Sequence, residues 1–178
     1  MIQNNYSDWY SELLTRTTDI NSFDCEDEDL NDFLINEAID YSSSLLGATH
    51  LIKIGDNVVA YFCLFNDRIT RNKEETATWN KINRAIANEK RKNSYPAIKI
   101  GRLAVSKQYK KLGFGNLMIR VVIDMYTRTY QQAGCRFITV DAYKNALPFY
   151  EKNGFKFLTD KDITNDTRAM YYDLKSYN

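Results

Sequence analysis

The sequence predicts a mixed α/β fold in which helices lie on both faces of a central sheet. Three observations carry this prediction: a strand–turn–strand pattern at residues 49–65, a strand–helix–strand unit at 97–143, and two strand-like runs near the end. The 178 residues, 44% of them hydrophobic, can bury one core, and no shift in composition marks a second domain. A single domain over residues 1–178 is therefore expected.

Charge and cysteine content exclude several classes of protein. The 24 basic and 23 acidic side chains give a formal charge of +1, which provides no overall attraction to nucleic acid or anionic membrane. Cys25, Cys63 and Cys135 lack the CxxC spacing of zinc and redox sites, so we expect reduced thiols in a cytoplasmic protein. No apolar window reaches the roughly 18 residues that a membrane span needs, and the N-terminus lacks a signal-peptide core.

The first half of the chain predicts a helix followed by a hairpin. Residues 24–47 begin with a cluster of acids, which the helix dipole favours, and Gly47 ends the pattern. Their apolar residues follow helical spacing: Leu30, Phe33, Leu34, Ala38 and Tyr41. Residues 49–54 and 57–65 are rich in β-branched and aromatic residues, and the intervening "GDN" is a hairpin signal. The two strands should therefore pair antiparallel.

Residues 68–92, which we call the basic segment, are polar and have a helical pattern. They contain eight Lys or Arg and three Glu, so their net charge is +5 while the rest of the chain carries −4. This is the one concentration of positive charge in the sequence. Two interpretations stay open: a surface for a polyanion, or an ordinary solvated helix.

The second half predicts a crossover unit and three closing elements. Residues 97–105 and 136–143 read as strands, and residues 114–134 between them read as a helix with Gly134 as its C-cap. The apolar face of that helix consists of Phe114, Leu117, Val121 and Met125. Such a unit places its two strands parallel in one sheet.

Three further elements follow the crossover unit. Residues 145–154 predict a short helix with Gly154 as its C-cap, and residues 155–158 and 168–174 predict the last two strands.

The stretch "GRLAVSKQYKKLGFGNLMIR", residues 101–120, joins a strand to a helix through a turn rich in Lys and Gly. We call residues 110–115 the glycine turn. Gly113 and Gly115 permit positive φ, and the N–H groups of the helix start favour an anion such as pyrophosphate. Lys110 and Lys111 add charge at the rim. A tight turn without a ligand is the alternative, and the pattern fits neither the nucleotide P-loop nor the dinucleotide fingerprint, whose third glycine is replaced by Met118.

Three stretches resemble the GNAT superfamily of acyl-CoA-dependent N-acetyltransferases. "KKLGFG" (110–115) is similar to the family's Arg/Gln-x-x-Gly-x-Gly/Ala motif, with Lys110 in place of Arg or Gln. "DAYKNALPFYEKNGF" (141–155) and "FDCEDEDLNDFL" (23–34) are similar to its later and earlier motifs. The resemblance implies about seven strands, mostly antiparallel with one splayed parallel pair, and direct acetyl transfer from acetyl-CoA to a primary amine without a metal.

The resemblance also implies roles for individual residues. The strand backbone would bind the pantetheine arm, the glycine turn and the following residue would hold the pyrophosphate, Asn145 would contact the cofactor, Phe149 would pack beside it, and Tyr150 would lie near the sulfur. The implied cofactor-binding residues are Leu103, Ala104, Val105, Lys110, Lys111, Leu112, Gly113, Phe114, Gly115, Asn116, Asn145 and Phe149. Without the family, Phe149 and Tyr150 read as core residues of a helix.

Acetyl transfer requires a proton acceptor for the amine and a proton donor for the departing thiolate. A tyrosine is protonated at neutral pH, since its ordinary pKa is about 10, and Tyr150 is the predicted donor. Direct transfer needs no cysteine nucleophile. No general base is assigned: His50 opens an early strand far from these motifs in sequence, and Asp141 reads as an ordinary structural carboxylate.

The acceptor could belong to several classes. Small amines, peptides and proteins are family substrates, and the "FDC" and "GRLAV" stretches are similar to toxin-like members that acetylate aminoacyl-tRNA. For that alternative the basic segment is the candidate tRNA surface, and nucleic acid is a partner only in that case. A non-enzymatic acyl-CoA-binding or interaction module is the second alternative, and homodimer formation stays open.

Overall fold

A computed structural model describes residues 8–20, 23–71, 76–129 and 133–177. Seven strands form one mixed sheet in the order β1-β2-β3-β4-β5-β7-β6, in which only β4 and β5 run parallel. The strands are β1 (Trp9–Leu13), β2 (Ala48–Ile54), β3 (Asn57–Thr70), β4 (Ser94–Val105), β5 (Phe137–Tyr143), β6 (Lys156–Phe157) and β7 (Thr167–Asp173). The predicted fold class is confirmed.

The chain divides into two compact units. The first consists of residues 1–65 and 100–122, and the second of residues 66–99 and 123–178. Strands β3 and β4 each contribute residues to both units.

In the first unit, the predicted hairpin is present and gains an edge strand. β2 and β3 pair antiparallel through a turn in which Gly55 has φ +56°, with a register shift at Ile52 and Lys53. β1 pairs antiparallel with β2 from Trp9 opposite Ile54 onwards. The sequence analysis did not predict β1, because its largely exposed residues lack the alternation of apolar and polar side chains that marks a strand with one buried face.

The predicted first helix is present as three successive segments: α1 (Glu28–Asp32), a π-helical turn (Phe33–Glu37) and α2 (Ala38–Ser43). Asp27 caps its start, because its side chain accepts a hydrogen bond from Leu30 N. Phe33 and Leu34 are buried in one cluster with Leu51 and Tyr61 of the hairpin. The helix ends at Ser43, a little before the predicted Gly47.

Gly101 in β4 is required by close packing. A Cβ on Gly101 would lie 1.7 Å from a ring carbon of Phe65, and one on Gly47 would lie 2.4 Å from the same ring. The Phe65 ring therefore occupies space that side chains at these two positions would fill. This accounts for the glycine that opens the "GRLAV" stretch.

In the second unit, β5 is parallel to β4 and antiparallel to β7. The parallel register comprises three residue pairs, from Ala97 opposite Phe137 to Lys99 opposite Thr139, which confirms the predicted crossover. β6 is a two-residue strand on the outer edge of β7. A second buried cluster includes Trp79, Tyr95, Phe137 and Tyr171.

The prediction of helix through most of the basic segment was wrong at its start. Strand β3 continues to Thr70, and the helix α3 (Thr76–Arg84) is shorter than expected. A hydrogen bond from Arg71 N to Asn93 O joins the two ends of the connection between β3 and β4. Ile69 is buried at the end of β3, and this burial favours a strand over the local helical pattern.

The two remaining helices lie where the sequence predicts them. α4 (Phe114–Asp124) continues as a π-helical segment (Met125–Thr129), and residues 130–132 of the predicted helix lie outside the described residues. Gly134 does not have the positive φ of a C-cap glycine. α5 (Leu147–Lys152) ends as predicted, because Gly154 has φ +86° and Phe155 N donates to Tyr150 O.

Candidate active site

The glycine turn lies in the first unit, between the end of β4 and the start of α4. A 3₁₀ turn (Lys107–Tyr109) follows the strand. The glycine turn comes next, and two of its residues have a left-handed backbone conformation, Lys111 at φ +64° and Gly113 at φ +95°. The expectation of positive φ is correct for Gly113 and wrong for Gly115, which is already the second residue of α4. A non-glycine residue held left-handed is uncommon and costs strain.

The geometry at the helix start fits an anion. Nothing lies within 4 Å of where a Cβ on Gly113 would be, so the backbone there is open to a ligand. The intrahelical hydrogen bonds begin with Leu117 N donating to Gly113 O at 3.0 Å, so the N–H groups before Leu117 point out of the helix end. The buried Phe114 ring packs edge-on against Tyr109 at 5.8 Å and fixes the first turn of α4.

Lys110, the first residue of the glycine turn, and Lys107 just before the turn form ion pairs that the sequence pattern does not predict. Lys110 Nζ lies 2.8 Å from Glu26 Oε2, and Lys107 Nζ lies 2.8 Å from Asp24 Oδ2. The Asp24 hydrogen bond raises the pKa of Lys107. Both acids belong to the "FDCEDEDLNDFL" motif (23–34). The high density of acidic residues in this motif was the only sequence signal for these ion pairs, because each pair joins residues more than 80 positions apart.

The strand residues predicted to bind the pantetheine arm form the end of β4. Ala104 is buried, whereas Leu103 and Val105 are half-buried. Ser106 N then donates to Val59 O, which holds the strand end in place. Leu112 in the glycine turn is exposed, and Asn116 in α4 is half-buried.

The remaining predicted residues lie in the second unit, after β5. Asn145 is exposed in a 3₁₀ turn (Lys144–Ala146), and Phe149 is half-buried on α5. Tyr150 is only 6% exposed and makes edge-on contacts with Phe149 at 5.0 Å and Phe155 at 5.2 Å. Burial raises the pKa of its phenol well above the ordinary value of 10.0. Among the described residues, none forms a hydrogen bond with the Tyr150 hydroxyl.

His50, Asp141 and the three cysteines, which were also considered from the sequence, make contacts typical of structural residues. The His50 ring stacks on Phe62 at 5.1 Å, and burial lowers its pKa. Asp141 forms an ion pair with Lys99 on the neighbouring strand. The three cysteines are free thiols, and burial raises the pKa of each.

The described part of the chain has neither a metal-binding cluster nor a helix that could span a membrane. No cluster of three or more His, Cys, Asp or Glu residues there could hold a metal ion. None of the described helices has the length and apolar character needed to cross a membrane.

The comparison with protein families identifies the class of protein. Residues 67–175 match the family described as "Acetyltransferase (GNAT) domain". Because the match covers more than half of the chain, the protein belongs to the GNAT family. It is an acyltransferase that uses acetyl-CoA as its co-substrate. No curated protein matches the sequence.

Solved structures share the fold over nearly the whole chain. A tyrosine-to-phenylalanine mutant of KacT is 22% identical, with a TM-score of 0.78, and the alignment covers 95% of this chain and 96% of that one. AtaT complexed with acetyl-methionyl-tRNAfMet is 20% identical, with a TM-score of 0.76 over 95% and 96% of the chains. A tyrosine-to-phenylalanine mutant of the AtaT toxin, bound to the C-terminus of the antitoxin AtaR, is 21% identical with a TM-score of 0.74 over 95% and 94%.

Proposed function

We propose that this protein transfers the acetyl group of acetyl-CoA directly to a primary amine, and that the whole chain acts as one GNAT domain. The observation that carries the proposal is the glycine turn, in which the open backbone at Gly113 precedes the N–H groups of α4. These N–H groups and the helix dipole suit a pyrophosphate. The match to the GNAT family supports acetyl-CoA as its source.

Each predicted cofactor-binding residue except the buried Ala104 has a role in this proposal. The backbone from Lys111 to Asn116 holds the pyrophosphate, with Lys110 at the rim. The backbone of Leu103 and Val105, on either side of the buried Ala104, bonds the pantetheine arm as an added strand would. The resemblance to the family adds Asn145 and Phe149 to the residues proposed to bind the cofactor.

Tyr150 is the proposed general acid. The neutral amine attacks the thioester carbonyl, a C–N bond forms and the C–S bond breaks. The nitrogen gives up one proton to solvent, and the departing thiolate takes a proton from the phenol. Solvent then restores the phenol proton. Burial raises the pKa of Tyr150, so the phenol is protonated throughout the neutral range. Two of the three similar structures described above are tyrosine-to-phenylalanine mutants.

The α-amine of aminoacyl-tRNA is the first acceptor to test. The similarity to AtaT, solved with acetyl-methionyl-tRNAfMet, supports it. The basic segment also supports it, because its described cations are all exposed and none forms an ion pair with another described residue. These are Arg68, Arg71, Lys81, Arg84, Lys90, Arg91 and Lys92. Small amines and peptides are the competing acceptors.

Mass spectrometry of acetylated products tests the proposal. The protein would be incubated with isotopically labelled acetyl-CoA and, in parallel, charged tRNA, uncharged tRNA and a protein-free amine extract. We expect label on the aminoacyl group of charged tRNA and none on uncharged tRNA. Label on small amines alone would support the acetyltransferase activity but exclude tRNA as its acceptor. No labelled product in any mixture would contradict the proposed function.

A further inference from the structure

We propose that Asp24 is a positioning residue that holds the glycine turn in the form that binds the pyrophosphate of acetyl-CoA. This inference rests on the proposed function of the glycine turn. It assigns a role to the "FDCEDEDLNDFL" motif (23–34), which the catalytic proposal leaves unexplained. The residues involved all belong to the first unit.

Asp24 is the centre of a network that joins two distant parts of the sequence. Its Oδ1 accepts hydrogen bonds from Glu26 N at 2.8 Å and from Asn31 Nδ2 at 3.0 Å. Its Oδ2 accepts from Lys107 Nζ at 2.8 Å, and its backbone carbonyl accepts from Lys107 N at 2.8 Å. Asp24 therefore binds both the main chain and the side chain of Lys107.

Lys107 lies where the chain leaves β4 and turns towards the glycine turn. It is the first residue of the 3₁₀ turn, and Tyr109 N donates to Ser106 O in the same turn. Tyr109 contacts Phe114, the first residue of α4. Fixing Lys107 thus fixes one end of a connection of only six residues that includes the left-handed Lys111 and Gly113.

A second contact from the same network reaches the glycine turn. Glu26, itself left-handed at φ +64°, pairs with Lys110 at 2.8 Å. The hydrogen bond from Glu26 N to Asp24 Oδ1 stabilises this uncommon backbone conformation. Asn31 completes the network, because its Oδ1 accepts from Cys25 N at 2.9 Å.

The ionisation of Asp24 agrees with this role. The Lys107 hydrogen bond, followed by those from Glu26 N and Asn31, holds the pKa of the Asp24 carboxyl well below its usual 3.8. The carboxylate is therefore charged at every pH at which the enzyme would work. An ion pair between two half-exposed side chains is weak alone, but here three hydrogen bonds reinforce it.

The Asp24→Asn variant separates positioning from electrostatics. An asparagine keeps the shape and can still accept from Glu26 N and Asn31, but its amide nitrogen cannot accept from Lys107 Nζ. Loss of a negative charge near a phosphate site would by itself tighten acetyl-CoA binding. Positioning predicts the opposite sign, a Kd for acetyl-CoA raised by about threefold to tenfold, the usual net worth of one intramolecular hydrogen bond.

Asp27→Asn is the matched control. Asp27 carries the same charge in the same segment, but its side chain caps α1 and, among the described residues, forms no hydrogen bond or ion pair with Lys107 or the glycine turn. Asparagine caps helices as well as aspartate does. We expect its acetyl-CoA affinity to equal or slightly exceed that of the parent protein.

Calorimetry with acetyl-CoA and hydrogen exchange of the free proteins together test the inference. We expect Asp24→Asn to bind more weakly and to exchange faster at residues 107–115, with exchange across Phe137–Tyr143 unchanged. Unchanged or tighter binding by a folded Asp24→Asn protein would overturn the inference alone, as would faster exchange in both regions, which indicates general destabilisation. If the unsubstituted protein failed to bind acetyl-CoA, the assigned site and this inference would both be overturned.

Discussion

Tyr150 illustrates how one residue can be both a core side chain and the proposed acid. It is 6% exposed and packed between two phenylalanine rings, which fits the structural interpretation that the sequence left open. Its hydroxyl nevertheless has no hydrogen-bond partner among the described residues, although buried tyrosines usually have one. A hydroxyl without an internal partner suits a group that donates its proton to a substrate.

We predict that Tyr150→Phe lowers kcat by roughly 10²-fold while the affinity for acetyl-CoA barely changes. The substitution keeps the ring packing and deletes only the proton donor, whose usual worth is of this size. Steady-state kinetics with the acceptor found by mass spectrometry would measure it, together with melting curves of both proteins. Near-normal turnover in a stably folded variant would rule out the catalytic role.

Tyr172→Phe provides the control for this substitution. Tyr172 contacts Phe155 at 5.6 Å in the same aromatic cluster, so the variant loses a phenol hydroxyl without touching the proposed acid. Its turnover should be normal. The pH profile gives a second check: because burial raises the pKa of Tyr150 above 10.0, deprotonation of this phenol should not lower activity until the pH exceeds about 10.

The helix α3 and the turn after it carry most of the described cations of the basic segment. Trp79 and Ile82 bury one face of the helix, while Lys81 and Arg84 are exposed on it. Arg91 has a structural role, since its Nε donates to the carbonyl groups of Asn83 and Ile86. Neutralising Arg91 would therefore remove a charge and also the hydrogen bonds that stabilise the end of the helix.

We predict that neutralising Lys81, Arg84 and Lys90 together, each to Gln, weakens activity on charged tRNA and flattens its salt dependence. Each phosphate contact that is lost reduces the number of counterions released on binding by about one. The slope of log affinity against log salt concentration should therefore become shallower by up to about three. Activity would be measured across a series of salt concentrations.

A charge-matched control is Arg120→Gln with Lys156→Gln and Lys175→Gln, three exposed cations outside the basic segment. It should leave the salt slope unchanged. Equal slopes in all three proteins would show that the basic segment does not bind tRNA, and would favour a small amine or peptide as the acceptor.

For the whole molecule, we predict that acetyl-CoA raises the melting temperature and that Gly115→Glu abolishes this rise. A ligand at about 100 times its Kd stabilises the folded state by about 2.7 kcal/mol, which is several degrees for a chain of this length. A glutamate in the first turn of α4 would place a carboxylate where the pyrophosphate is proposed to bind, whereas it suits a helix start in the free protein.

Thermal unfolding of both proteins, with and without acetyl-CoA, would test this. The free proteins should melt at similar temperatures, and only the parent should shift. An equal shift in both would contradict the assignment of the pyrophosphate to the glycine turn.

The sequence by itself determined most elements and the chemistry of the turn. The hairpin at Gly55, the parallel strands on either side of α4, the left-handed Gly113 and the Gly154 cap all depend on periodicity or turn residues within short windows. The family motifs also indicated which residues to consider for acetyl-CoA. Local signals of this kind act over a few residues, so they can be read without knowing the fold.

Only the tertiary structure decided features that need a distant partner. The edge strand β1 exists through its pairing with β2, and Gly101 is explained by the Phe65 ring. The network of Asp24 with Lys107 joins residues 83 positions apart. Such contacts leave no periodic trace in the sequence, because packing and charge pairing depend on which surfaces folding brings within a few ångströms of each other.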